Sequence, residues 1–350
     1  MLRQVMSSMK KNADTAMYPA SLTKIATAIY VIETADLDDM VTVSGNARDT
    51  EGTSVFLEEG EQVSLKKLVQ GLLINSGNDA GVAIAEHVGG SVGQFTSELN
   101  GYLQQKVGVQ NTHFENPHGL FDSGHVTTAQ DLAAITRYAI QNETFREIFG
   151  TVELAWDGES WDTTLLTHHK LMRERPYDGI TGGKTGFVNQ SGFTLATTAK
   201  RDDLNLIVIT LNANMQKDAY QDTINLLDYG FGRFTHSTIA KGMTFETDDT
   251  EYKTTQPLTI THKTDGELQK DVSEEGVLKV RKRKGEVVDT FQLEKTKQDR
   301  RSETAKSDVK KNSVLGSSAL MAVVSIVVVM IGIIGVLYRR KRKREERFFW

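Results

Sequence analysis

Apolar residues recur every three or four positions across residues 21–34, SLTKIATAIYVIET, with Pro19 just upstream. That spacing predicts a helix start near Ser21 and a core-facing helix after it. The same pattern predicts helices over 63–74, 80–88 and 92–107, the first ending at the polar turn NSGND. Residues 128–140 repeat it, with Thr128 as N-cap and Asp131 in the first turn. Beyond residue 180 the period shortens. The run GGKTG at 182–186 leads towards GFTLATTA at 192–199, which reads as a strand, and NLIVITL at 205–211 reads as a buried one. The turn of Arg201, Asp202 and Asp203 joins these two strands as a hairpin, and residues 218–229 form a closing helix. Helices gathered around an antiparallel sheet make an α/β architecture of the α+β type.

Residues 238–293 alternate apolar and polar positions between glycine-containing turns, which predicts a small β-rich domain. Residues 294–313 are charged and free of aromatics and read as a polar stalk. Residues 314–338 carry no charge and are long enough to cross a hydrocarbon core of ~30 Å as a transmembrane helix. The basic run from Arg339 to the end then stays in the cytoplasm, which puts residues 1–313 outside the cell on a single-pass anchor. An exported chain needs a leader, and residues 1–21 show no apolar one, so a natural start upstream of Met1 is expected.

Composition narrows the function. A chain of 350 residues has room for two modest domains, and 39% hydrophobic with 25% charged residues excludes a wholly disordered or polytopic membrane protein. With 41 basic against 46 acidic residues, the net charge of −5 argues against nucleic acid as a partner. The absence of cysteine excludes disulfides, thiolate metal sites and a cysteine nucleophile. The pair His168 and His169 reads as a surface loop, and His113, His118 and His125 lie in an Asn/Gly-rich connection without clustered carboxylates, so neither metal nor cofactor is expected. Trp156 and Trp161, flanking an acidic loop, read as packing residues.

Three short motifs carry chemistry. In Ser21-Leu22-Thr23-Lys24, positions i and i+3 share a helix face, so the hydroxyl can meet the amine. Serine is a weak nucleophile until a base takes its proton, and lysine serves as that base only when burial or a neighbouring cation lowers its pKa. In Ser76-Gly77-Asn78, the serine can relay a proton to a leaving group and the asparagine can hold a substrate amide. In Lys184-Thr185-Gly186, the lysine is the second cation, the threonine hydroxyl suits a terminal carboxylate, and the glycine lets a substrate backbone approach a strand edge.

S-x-x-K, a serine–asparagine triad and K-T-G in this order are the signature of class A β-lactamases and penicillin-binding proteins. The surroundings PASLTKIATA, LLINSGNDA, NPHGLFDSGHVTTAQDLA, GGKTGF and LLDYGF resemble the D-alanyl-D-alanine carboxypeptidases, the low-molecular-mass penicillin-binding proteins of serine peptidase family S11. The resemblance spans about residues 5–236 and implies a β-lactamase/transpeptidase-like fold for residues 1–237. It implies Ser21 as acyl-enzyme nucleophile, Lys24 as its base, Ser76 and Asn78 as proton shuttle and peptide holder, and Lys184 and Thr185 as carboxylate binders. The backbone N–H groups of Ser21 and Phe187 would form the oxyanion hole. The implied substrate is the D-Ala-D-Ala end of a peptidoglycan stem peptide, with β-lactam antibiotics as covalent inhibitors. A D,D-endopeptidase, a weak β-lactamase or a non-catalytic wall-binding or β-lactam-sensing protein are the alternatives on the same site. Two departures stand out: Val188 replaces a common threonine, and Ala219 stands where the family often has an arginine, with Lys217 the nearest cation. No E-x-x-L-N follows the second motif, which leaves Glu115 to be weighed as a deacylation base.

Overall fold

The computed structural model describes residues 9–296, apart from 249 and 284. A short 3-10 turn, Ala20–Leu22, leads straight into α1 (Thr23–Thr34). Thr23 to Val31 are buried without a break, so α1 runs through the centre of the helical cluster rather than along its surface. Each fully buried aliphatic side chain there, such as Ile25 or Ile29, contributes roughly 1.5–3 kcal/mol.

The strands β1 (Met40–Thr42) and β2 (Gln62–Ser64) pair antiparallel and bracket α2 (Gly45–Arg48). The helix expected over 63–74 is therefore divided. Its first residues complete β2, Ser64 caps α3 (Leu65–Gln70) by accepting from Lys67 N–H, and Gly71–Asn75 form a π-helical turn. Next come α4 (Asn78–Gly89) and α5 (Val92–Tyr102), the latter also ending in a π turn, Leu103–Val107. Then α6 (Ala129–Ala139) starts at the Thr128 cap, whose hydroxyl accepts from Asp131 N–H. The apolar pattern predicts neither β1 nor α2, nor α7 (Glu143–Phe149), nor the hairpin of β3 (Glu153–Asp157) with β4 (Asp162–Leu166).

The main sheet is antiparallel, in the order β5 (Ile180–Val188), β6 (Gly192–Arg201) and β7 (Leu204–Ala213). Side chains alternate between its faces. Leu195 packs with Leu171, Ala219 and Tyr220 under α8 (Gln216–Arg233), whereas its neighbour Ala196 joins the core of the helical cluster. The sheet is thereby enclosed by helices on both sides, a mixed α/β fold. The strands β8 (Phe234–Ile239), β9 (Thr244–Glu246), β10 (Glu251–Lys253), β11 (Leu258–Lys263), β12 (Leu268–Val272), β13 (Val277–Lys282), β14 (Val287–Gln292) and β15 (Glu294–Lys295) follow. They close over a separate apolar cluster that includes Ile239, Ile260, Leu278 and Val280.

Three readings change. Glu294–Lys295, at the start of the expected stalk, pair as a strand with β10. His169 is not on the surface: only 1% of it is exposed, because its ring lies under Gly183 and bonds Thr197, while His168 faces outward. Glu115 is exposed and paired with His113 at 3.1 Å, so nothing draws it into the site. The expected transmembrane helix at 314–338 lies outside the described residues, and no helix among the described residues is long and apolar enough to cross a membrane.

Candidate active site

The three motifs meet where α1, the turn before α4 and the edge strand β5 converge. Lys24 is fully buried, and its Nζ has three oxygen neighbours: Ser21 Oγ at 2.8 Å, Asn78 Oδ1 at 2.7 Å and the His118 carbonyl at 2.7 Å. Burial drives its pKa well below the ordinary lysine value, the Lys184 charge lowers it further, and the Asp79 carboxylate opposes both. A neutral amine has two hydrogens and one lone pair. With the hydrogens donated to Asn78 and the His118 carbonyl, the lone pair is left facing the Ser21 hydroxyl.

The second group is joined to the first through the 76–78 turn. Lys184 Nζ donates to Ser76 Oγ at 2.9 Å and to the Thr185 carbonyl at 3.0 Å. Lys184 is 2% exposed, and burial lowers its pKa to about 7. Ser76 itself has a left-handed backbone, φ 66°, at the end of the π turn. π-helical turns and left-handed non-glycine residues concentrate at functional sites. Asn78 spans both groups, since its amide nitrogen donates to the Glu51 carbonyl at 2.7 Å while its oxygen serves Lys24.

The other expected residues lie along β5. Gly186 lies against the Ser21 turn: a methyl group added there would sit 2.8 Å from Ser21 N and 2.5 Å from Thr194 Oγ1. Thr185 is half-buried beside it, and Phe187 is exposed with its ring against Phe193. Ala219, by contrast, is buried under the sheet with Leu171 and Tyr220.

Motif reading did not single out the groups that hold this arrangement. Asp79 is fully buried and accepts backbone N–H groups from Val55, Leu57 and Ala80, which straps residues 51–57 onto the 76–78 turn. Asn116 Oδ1 accepts from Gly119 N–H at 2.7 Å, and Thr27 Oγ1 donates to the Pro117 carbonyl at 2.7 Å, clamping 116–120 along α1. The signal was available in the sequence, in GNDA and NPHGL, but only as a resemblance without a stated job.

Comparison with known proteins agrees with the geometry. Residues 4–215 match the peptidase S11 family model, described as D-alanyl-D-alanine carboxypeptidase. The D-alanyl-D-alanine carboxypeptidase DacF of Bacillus subtilis is 30% identical over 283 residues, covering 76% of this chain and 71% of that protein. DacC of Escherichia coli is 36% identical over 247 residues, 64% of this chain, and the match spans 57% of its length. Among solved structures, penicillin binding protein 5 from Haemophilus influenzae superposes with a TM-score of 0.71 at 25% identity, covering 82% of this chain and 92% of that one. A Streptomyces K15 DD-transpeptidase superposes at 0.60 and 27% identity over 64% of this chain and 92% of that one. The chain therefore belongs to the peptidase S11 family, the D-alanyl-D-alanine carboxypeptidases.

Proposed function

We propose that Ser21 is the nucleophile of a serine-type carboxypeptidase that removes the terminal D-alanine from peptidoglycan stem peptides. The observation that carries this reading is the buried Lys24 amine 2.8 Å from Ser21 Oγ, with its other hydrogen bonds already assigned. Lys24 takes the Ser21 proton as Oγ attacks the carbonyl carbon of the penultimate D-alanine. Negative charge builds on that carbonyl oxygen, and the backbone N–H groups of Ser21 and Phe187 stabilise it. The peptide C–N bond breaks, and Ser76, held by Lys184, passes a proton to the departing amine of D-alanine. Water then hydrolyses the ester on Ser21 with Lys24 again as base. Lys184 and Thr185 receive the substrate's terminal carboxylate, Gly186 allows its backbone against β5, and Asn78 holds the side of the peptide. β-Lactams, which mimic the terminal dipeptide, acylate Ser21 in the same way.

Residues 1–237 form the catalytic domain and 238–293 a small β-rich one in this reading. The uncharged run at 314–338 and the basic residues after it support a single membrane-spanning anchor with the catalytic domain outside the cell. The direct test is labelling with a fluorescent penicillin alongside D-alanine release from a pentapeptide. Wild type is expected to do both and Ser21→Ala neither. Undiminished covalent labelling of Ser21→Ala would remove the assignment.

A further inference from the structure

The turn that carries Ser21 is held by a chain of hydrogen bonds reaching back to His125, which the acyl-transfer chemistry does not use. His125 is 2% exposed, and its ring stacks on Phe114 with centroids 4.8 Å apart. Its Nδ1 accepts from Glu115 N–H at 3.0 Å. A neutral imidazole with Nδ1 as acceptor carries its proton on Nε2. That proton is therefore donated to Thr23 Oγ1, 2.7 Å away. With its lone pair so occupied, the Thr23 hydroxyl gives its own proton to the Ala20 carbonyl at 2.9 Å. Every donor and acceptor along the line has a fixed direction.

The Ala20 carbonyl is confined from the other side as well. A methyl group on Gly119, whose φ is +90°, would lie 1.9 Å from that oxygen. Ala20 itself is in the left-handed region, φ 48°, which strains a non-glycine residue and needs its surroundings to hold it. In a trans peptide the C=O and the following N–H point in opposite directions in one plane. Fixing the Ala20 carbonyl thus fixes the direction of Ser21 N–H, whose nitrogen lies against Gly186 of β5.

We propose that His125 and Thr23 are positioning residues that aim the Ser21 N–H at the oxyanion formed during acylation. The inference rests on the acyl-transfer reading above. It assigns the pair to transition-state stabilisation rather than to substrate affinity, because a misaimed donor weakens only the interaction made as charge develops. Loss of a whole oxyanion donor costs about 10²–10³-fold in rate, and a donor turned out of line is expected to cost about 10–100-fold.

The test compares wild type with Thr23→Val, Thr23→Ser, His125→Phe and the Thr23→Val/His125→Phe double variant in the full chain. Readouts are the acylation rate with fluorescent penicillin, kcat and KM on a D-Ala-D-Ala peptide, and Tm. Thr23→Val is expected to lower acylation and kcat about 10–100-fold with KM within about twofold, and Thr23→Ser to restore most of the rate. His125→Phe should match the valine variant, and the double variant should be no slower than either, because both cut one chain. Should His125→Phe not fold, the valine–serine pair decides alone. Wild-type acylation by a folded Thr23→Val variant, a loss confined to KM, or failure of serine to rescue would overturn the proposal. Wild type failing to label would instead remove the acyl-transfer reading itself.

Discussion

Two lysines in one small volume set the chemistry at the residue scale, because neither can stay charged without cost. In the proposed mechanism Lys24 acts as a neutral amine, so acylation should rise with pH through its lowered pKa and show an acid limb. Lys184 pushes that pKa down and Asp79 pulls it up. Removing the cation, in Lys184→Gln, should therefore move the acid limb to higher pH. Removing the anion, in Asp79→Asn, should move it to lower pH. Penicillin acylation rates measured from pH 5 to 10 check both signs, and shifts in one common direction would contradict the assignment. At this scale the sequence was most readable. Ser21, Lys24, Ser76, Asn78 and Lys184 announce themselves as residue types at helical or turn spacing. His125 does not, because a histidine's role here depends on which nitrogen accepts from Glu115 N–H, and no spacing encodes that.

At the scale of elements, the site depends on close approach between segments distant in sequence. Residues 116–120 lie against α1 through Thr27 and the Gly119 backbone. Gly119→Ala places a carbon 1.9 Å from the Ala20 carbonyl, and the turn must move. A displacement near 1 Å at a reacting group costs about 100-fold, so acylation should fall by about that much. An acylation rate within threefold of wild type would show that the contact yields without consequence. Asp79 ties the 51–57 loop to α4 by accepting from the Val55 and Leu57 N–H groups, and it also accepts from Ala80 N–H at the start of its own helix. Asp79→Asn should therefore also cost about 3 kcal/mol in urea unfolding, since hydrogen bonds to a buried charge are worth ~1.5–3 kcal/mol each and an amide keeps some of them. Amphipathic period revealed α1, α4, α5, α6 and the β6–β7 hairpin. It could not reveal where α3 passes into a π turn, since one extra residue barely alters a hydrophobic pattern. The β3–β4 hairpin escaped because only Trp156 and Leu165 are buried on it, too few to show a period of two.

For the whole molecule, acid sensitivity follows from buried imidazoles. Burial first of all lowers His118 and His169 to about 3 and His125 to about 4, while all three take a proton near 6.5 when unfolded. The unfolded chain thus binds more protons between pH 6.5 and 4, so stability is full above 6.5 and is lost as pH falls through that window. Unfolding free energies from urea titrations should be level between pH 7 and 8 and decline below 6.5, by up to roughly 8 kcal/mol at pH 4.5. A flat profile would mean that these rings open to water. The general architecture, helices enclosing an antiparallel sheet, was readable from period alone, but the two-sided use of the sheet was not, since Thr194, Thr197 and Thr198 interrupt the apolar positions of β6 and residues 194–199 are buried on both faces.

The left-handed alanine before Ser21 has a consequence for anyone breeding a hardier form of this protein. Glycine at position 20 would relieve torsional strain, so a screen rewarding survival at high temperature would tolerate or even select it. The winners would outlast their parent and turn over more slowly, because the relaxed turn would no longer be compelled to face one way. Selection for robustness and selection for speed should part company first at this residue.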